Sequence, residues 1–185
     1  MASRILLVRH GEAAASWGQS ADPGLSELGW RQADLVSSQL QALAGDQRPL
    51  LISSPLKRAQ ETAQPFSEAM DLPVAIDERV KEIPSPVPLA QRQTWLQGFM
   101  RQTWTEQPGA LWDWRRGVVD AVSEPEGIIV VFTHFLVINA LVGHCQGREN
   151  TLVFWPANTS VTELRRTGEE LYVHELGEEM ASRVN

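Results

Sequence analysis

The sequence predicts an α/β fold: a three-layer α/β/α sandwich with helices on both faces of a mixed, mostly parallel sheet. Three observations predict it. The runs "ILLV" at 5–8, "LLI" at 50–52 and "IIVVF" at 128–132 are apolar without alternation, as strands are when both faces of a parallel sheet are covered. Stretches with helical periodicity separate these runs. Strands and helices that alternate along a chain build this layer arrangement.

Each element follows in order. The first run ends abruptly at Arg9, His10, Gly11 and Glu12. Leu28, Leu35, Val36, Leu40 and Leu43 then recur at helical spacing, and Gly45 ends that helix. After the second run, "SSPLKRAQETAQPFSEAM" opens a helix with Ser54 as its N-cap and Pro55 at its first position. Pro84, Pro86 and Pro88 mark a loop before a Trp-rich helical segment at about 89–122. We read about 84–122 as a helical insertion within one domain spanning 1–185. After Thr133, "HFLVINALVG" reads as a largely buried helix closing at Gly143. "TSVTELRR" and "ELYVHEL" flank Thr167-Gly168, which predicts two strands joined by a tight turn, with His174 exposed on the last.

Composition narrows the function. A chain of 185 residues with 43% hydrophobic content is an ordinary globular protein. Its net charge of −7 disfavours non-specific binding to nucleic acid or to an anionic membrane. An anion could be recognised only where positive charge is gathered locally. The single cysteine, Cys145, excludes an internal disulfide and fits a reducing cytoplasm. The N-terminal apolar run is too short for a signal peptide or a membrane span. His144 and Cys145 are adjacent, not at ligand spacing, which argues against zinc.

The chemistry gathers where the strands end. "RHGE" follows the first apolar run, "SSPLKR" the second and "THF" the third. Ligands of open α/β sheets sit beyond the carboxyl ends of the strands, where helix N-termini attract anions. If the three strands are parallel neighbours, Arg9, His10, Arg58 and His134 converge. Two guanidiniums and two imidazoles suit a dianion, and the planar arginine fork matches phosphate. The connection from Glu12 to Gly24 is long enough to be functional.

Five blocks carry a family resemblance: "RHGE" at 9–12, "DPGLSELGWRQA" at 22–33, "SSPLKRAQETA" at 53–63, "DERVKE" at 77–82 and "IIVVFTH" at 128–134. In order and spacing the sequence resembles the histidine phosphatase superfamily, whose members are similar to phosphoglycerate mutase. The resemblance implies a six-stranded sheet in the order 3-2-4-1-5-6 with one antiparallel strand near the C-terminus. It implies that His10 attacks phosphorus and becomes a phosphohistidine. Arg9 and Arg58 would hold the phosphoryl oxygens, with His134 donating to them in its cationic form. Glu82 would protonate the leaving oxygen and then activate water. The expected activity is that of a metal-independent phosphomonoesterase acting on a small phosphorylated metabolite, without a cofactor. A phosphoglycerate-type mutase and a non-catalytic phosphate-binding or regulatory domain are the alternatives.

The sequence departs from the family pattern in three places. Phe135 and Leu136 follow His134, where many members carry glycine. Ser16, beside Trp17, stands where many carry asparagine. "IPSPVP" follows Glu82 in place of a stretch with glycine and tryptophan. Ser16, Trp17 and Asn158 are candidate substrate-pocket residues; Asn158 and Ser160 stand where the resemblance implies a polar pair near the pocket, and read equally as structural. Asp22, Leu25, Gly29 and Gln32 read as structural. Trp95, Trp104, Trp112 and Trp114 read either as packing or as a lid over the substrate. The expected ligand is a phosphate ester, with no nucleic acid, membrane or metal. The sequence leaves the oligomeric state open.

Overall fold

Where the polar ends of the apolar runs meet depends on strand order. The computed structural model describes residues 3–15 and 20–181. Its strands are β1 (Ser3–Arg9), β2 (Leu50–Ser53), β3 (Val74–Ile76), β4 (Ile128–Thr133), β5 (Val161–Thr167) and β6 (Glu170–Glu175). The helices are α1 (Glu27–Ala44), α2 (Lys57–Met70), α3 (Arg92–Phe99), α4 (Gly109–Ser123) and α5 (Phe135–Cys145), with short 3-10 turns between β3 and α4. The strands form one sheet in the order β3-β2-β4-β1-β5-β6. β1, β4, β2 and β3 pair in parallel, and β5 runs antiparallel to both β1 and β6. This is the mixed sheet, with its one reversed strand, that the resemblance implies.

The unbroken apolar runs now have a reason. Ile5 and Leu7 of β1 pack with Ile129, Val131 and the α4 and α5 residues Val118, Val122, Ile138 and Leu141. Their neighbours Leu6 and Val8 point the other way, onto Val36, Leu40 and Phe66 of α1 and α2. A strand covered on both faces has no side for polar residues.

Three readings need correction. On α1, Leu28 and Leu35 are exposed, and the buried face is Gly29, Ala33, Val36, Leu40 and Ala44. The reason is backbone packing: a Cβ at Gly29 would lie 2.2 Å from the Glu12 carbonyl oxygen, so this turn of α1 presses its glycine on the loop after β1. α2 begins at Lys57, not at Pro55, and its N-terminal residue Leu56 has no side-chain cap. The Ser54 hydroxyl accepts from the Leu56 N–H in the turn before the helix and also faces His134. α5 runs two residues past Gly143, to Cys145. The strand β3 went unread: its apolar run Val74-Ala75-Ile76 is only three residues long and, at the edge of the sheet, is largely exposed.

The tryptophans belong chiefly to a third apolar cluster. Trp104 is buried with Ile83, Leu96, Phe99, Leu111, Phe135 and Leu136, and Trp95, Trp112 and Trp114 pack around it half-buried. Arg115 lies over the Trp104 ring at 4.5 Å. His174 is exposed, as expected.

Candidate active site

The sheet register brings the strand ends together. Arg9 pairs with Thr133, and Ser53 with Phe132. One residue further, the His10 N–H donates to the Thr133 carbonyl (3.0 Å) and the Ser54 N–H to the Phe132 carbonyl (3.0 Å). His10, His134 and Ser54 therefore stand side by side at the carboxyl end of the sheet. The two imidazole centroids are 5.2 Å apart.

Two contacts define the state of His10. Its Nδ1 lies 2.7 Å from the Gly11 carbonyl oxygen, which can only accept, so Nδ1 carries the proton. Arg58 Nε, which can only donate, lies 3.1 Å from Nε2, so Nε2 carries the lone pair. Burial lowers the His10 pKa well below its usual value, and the nearby Arg58 and Arg9 charges lower it further. The ring is neutral.

His134 is fully buried, with Nε2 2.7 Å from the Ser54 hydroxyl and Nδ1 without a partner among the described residues. Burial lowers its pKa well below the ordinary value, and His10 and the arginines lower it further. The cationic form implied by the resemblance is thus not the form this environment favours. It requires a compensating anion at the site.

Arg9 is buried, donates through Nη1 to the Pro156 carbonyl (2.8 Å) and lies over the Phe135 ring at 5.2 Å. Phe135, at the position where many family members carry glycine, therefore supports a guanidinium by a cation–π contact. Burial lowers the Arg9 pKa to about 10.

Glu82 is also buried. Its Oε1 accepts from the Ile83 N–H (3.0 Å), and Oε2 faces the Leu136 N–H in the first turn of α5 at 3.5 Å. Burial pushes its pKa up, against the pull of these N–H groups and of Arg58 and Arg92.

The surrounding loop is clamped. The Glu12 N–H donates to Gln32 Oε1 (2.8 Å), the Ser26 hydroxyl to Glu12 Oε1 (2.8 Å) and the Leu25 N–H to Glu61. Asp22 Oδ1 accepts from the Lys57 N–H at the start of α2 (2.8 Å). Asp22, Leu25 and Gln32 thus anchor backbone around the loop. Asn158 Nδ2 donates to the His10 carbonyl (2.9 Å) and lines a concavity with Arg9, His10 and Gln93. Ser160 is buried, its hydroxyl unpartnered among the described residues. Ser16 and Trp17 lie outside the described residues.

Sequence reasoning missed four contributors. Ser54 meets His134, and Thr62 accepts from the Gly11 N–H (3.0 Å) while donating to the Arg58 carbonyl (2.7 Å). Arg92 lines a cleft with Arg58 and Glu82, and Gln93 lines the one beside His10. Thr62 was legible in principle, four residues after Arg58 on one helix face. Arg92 and Gln93 had no sequence signal. Among the described residues, no group of three or more His, Cys, Asp or Glu side chains is placed to hold a metal ion. No described helix is long and apolar enough to cross a membrane.

Comparison with known proteins bears on the family and the fold. The sequence pattern of the histidine phosphatase superfamily (branch 1) matches residues 5–179. Glucosyl-3-phosphoglycerate phosphatase of Mycobacterium tuberculosis (strain ATCC 25618 / H37Rv) is 34% identical over 131 residues, covering 68% of this chain and 52% of that protein. Phosphoserine phosphatase 1 of Hydrogenobacter thermophilus is 37% identical over 86 residues, covering 43% of this chain and 38% of that protein. The matched part of the first relatives is shorter still, 22% of their length. Among solved structures, phosphoserine phosphatase of Entamoeba histolytica in complex with 3-phosphoglyceric acid superposes with a TM-score of 0.73 at 21% identity, covering 96% of this chain and 98% of that one.

Proposed function

Because this chain belongs to the histidine phosphatase superfamily, we propose that it is a phosphoric monoester hydrolase working through a phosphohistidine at His10. The substrate is a small phosphorylated metabolite, as it is for the phosphoserine and glucosyl-3-phosphoglycerate phosphatases among its relatives. The whole of 1–185 is one such domain, with 84–122 as its insertion. The lone Cys145 fits a cytoplasmic setting.

One observation carries the reading. His10 is buried and neutral, its Nδ1 proton tied to Gly11 and its Nε2 lone pair held, among the described residues, by the Arg58 guanidinium. A nucleophile must be unprotonated at the attacking atom, and Arg58 is itself a phosphate ligand that an incoming phosphoryl group can claim. When Arg58 turns to the phosphoryl oxygens, Nε2 is released at the moment it is needed.

The reaction then runs in two displacements. His10 Nε2 forms a bond to phosphorus as the ester P–O bond breaks. The leaving oxygen takes the proton of Glu82, whose burial favours the protonated acid. The carboxylate so formed takes a proton from water as that water attacks phosphorus. The P–N bond breaks, and neutral His10, protonated Glu82 and inorganic phosphate result. Arg9, Arg58 and His134 stabilise the charge on the transferring group; a bound dianion offsets the burial and repulsion that keep His134 neutral. These cations supply the charge that a metal would otherwise bring.

Rapid quench with labelled substrate should trap an acid-labile, base-stable phosphoenzyme in the wild type and none in His10→Ala. Turnover should persist in EDTA. A label on another residue, or loss of activity in chelator, overturns the assignment. Transfer of the label to an added alcohol, without phosphate release, would identify a mutase.

A further inference from the structure

Arg115 is only 9% exposed, and the reaction described above has no use for it. It stands in the middle of α4, over the Trp104 ring at 4.5 Å and the Trp112 ring at 5.3 Å. Among the described residues it forms no ion pair, and its Nε has no hydrogen-bond partner. Burial lowers its pKa, and no carboxylate or hydrogen-bond acceptor pulls it back. The other buried arginines, Arg9 and Arg58, donate to the Pro156 carbonyl and to His10.

The two indoles satisfy this side chain only in part. A ring face attracts the cation, but the five N–H donors of a guanidinium lie in its own plane and still require acceptors. A buried donor without an acceptor is costly. An apolar residue of similar volume would pack against the indoles without that cost. Packing alone therefore does not explain an arginine at this position.

Its surroundings point to the missing acceptor. Arg115 lines a pocket of about 230 Å³ with Trp112, Arg116 and Val119 of α4 and His144 in the last turn of α5. None of these residues lines the clefts beside His10 and Glu82. Arg116 is exposed at the rim and pairs with Asp113. His144 lies near enough for the Arg115 charge to act against its cationic form. Three basic side chains thus gather at one pocket of a protein whose net charge is −7. Asp120 is the acidic residue of the lining; it is exposed, and neither Arg115 nor His144 is drawn by it. Trp112 and Val119 supply an apolar wall. A planar guanidinium fork matches two oxygens of a phosphate or a carboxylate. We propose that Arg115, flanked by Arg116 and His144, binds a small oxyanion at a second site between α4 and α5, separate from His10. The pocket admits free phosphate, or an organic acid no larger than a single ring.

The Trp112 indole N–H resonance, identified with Trp112→Phe, reports on this pocket without any need for turnover. Inorganic phosphate and benzoate are the two probes. At least one of them should shift the resonance with a Kd of about 1 mM or tighter. Tighter binding of phosphate marks a free-anion site, and tighter binding of benzoate an organic acid resting on Trp112. Arg115→Met keeps an unbranched apolar chain against the indoles and removes the donors. Affinity should then fall about ten- to a hundredfold, the size of a charge-assisted hydrogen bond. Arg116→Glu changes an exposed side chain, so the fold is not at risk, and should weaken binding severalfold. His10→Ala should leave it unchanged, because the two sites are separate. A resonance that neither probe moves, or equal affinity in the wild type and Arg115→Met, overturns the proposal. Loss of the response in His10→Ala also overturns it, since the anion would then be acting from the catalytic site.

Discussion

Arg58 has two partners in the proposed reaction, the His10 lone pair and the phosphoryl oxygens, and both depend on the shape of its guanidinium. Lysine keeps the charge but offers a point donor without the planar fork. Arg58→Lys should lower kcat/KM about a hundredfold, the usual loss for one preorganised donor. Unchanged kinetics would place Arg58 outside the phosphoryl site. Glu82 has a different test, because its value as an acid depends on what leaves. An alkoxide needs a proton as the bond breaks, and nitrophenolate does not. Glu82→Gln should therefore lose about a hundred- to ten-thousandfold on alkyl phosphates in single turnovers. The loss on p-nitrophenyl phosphate should be far smaller, and a burst of nitrophenol should precede slow turnover. Equal losses on both esters would point to Glu78 as the next carboxylate to test.

At the scale of elements, the loop after β1 and the first turns of α1 act as one unit. A Cβ at Gly29 would meet the Glu12 carbonyl oxygen at 2.2 Å, and one at Gly11 would meet the Gly29 carbonyl oxygen at 2.7 Å. Both obstacles are backbone, so relief must come from moving the segment that carries His10. Gly29→Ala should cost about 1–3 kcal/mol of stability, as overpacking does, and should also reduce kcat. Gly98→Ala is the control: nothing lies within 4 Å of its Cβ position in α3. It should be neutral or stabilising by up to about 1 kcal/mol. Chemical denaturation and p-nitrophenyl phosphate kinetics on both variants check the pair. The Trp-rich insertion behaves as core at its centre. Trp104 packs edge-on to Phe99 at 5.9 Å and under the Arg115 guanidinium at 4.5 Å. Trp104→Ala should cost about 3–5 kcal/mol while keeping the ranking of substrates. A changed ranking would make the cluster part of the pocket.

Over the whole molecule, the buried imidazoles set an acid limit. Burial first, then neighbouring positive charge, keeps His10 and His134 well below the ordinary histidine value of 6.5, and His144 is lowered in the same sense. Below that value the unfolded chain takes up protons that the folded site refuses. Stability is therefore fully present above about pH 6.5 and falls as the pH drops below it. Glu82 contributes with the opposite sign. Its pKa is raised from 4.5, so its contribution is present at low pH and is lost as the pH rises through its folded value. Asp77, held low chiefly by hydrogen bonds from Arg79, loses its contribution only in the more acidic range below 3.8. Melting temperatures from pH 7.5 to 5 should decline, and His134→Asn should flatten that slope. An unchanged slope would mean that His134 titrates alike in the folded and unfolded states.

The sequence by itself determined the parts that local chemistry controls. Runs such as "IIVVF" specify strands covered on both faces, because no polar residue interrupts them. Gly168 specifies the tight turn between β5 and β6, because its φ of 62° suits a residue without a side chain. Arg9, His10, Arg58 and His134 were legible because each stands just beyond, or within a turn of, a buried strand end. Glu82 was legible only through the family resemblance, since nothing local separates it from Glu78. Tertiary structure alone decided the rest. The buried face of α1 depends on a contact between Gly29 and the backbone of Glu12, not on where its leucines fall. Ser54 serves His134 and the turn before α2 because strand register sets Ser54 beside a histidine 80 residues away. Arg92 enters the site because the insertion folds α3 back over Glu82, and no spacing in the sequence encodes that distance. Such contacts join segments far apart in the chain, and their energy exists only once the sheet has set its order.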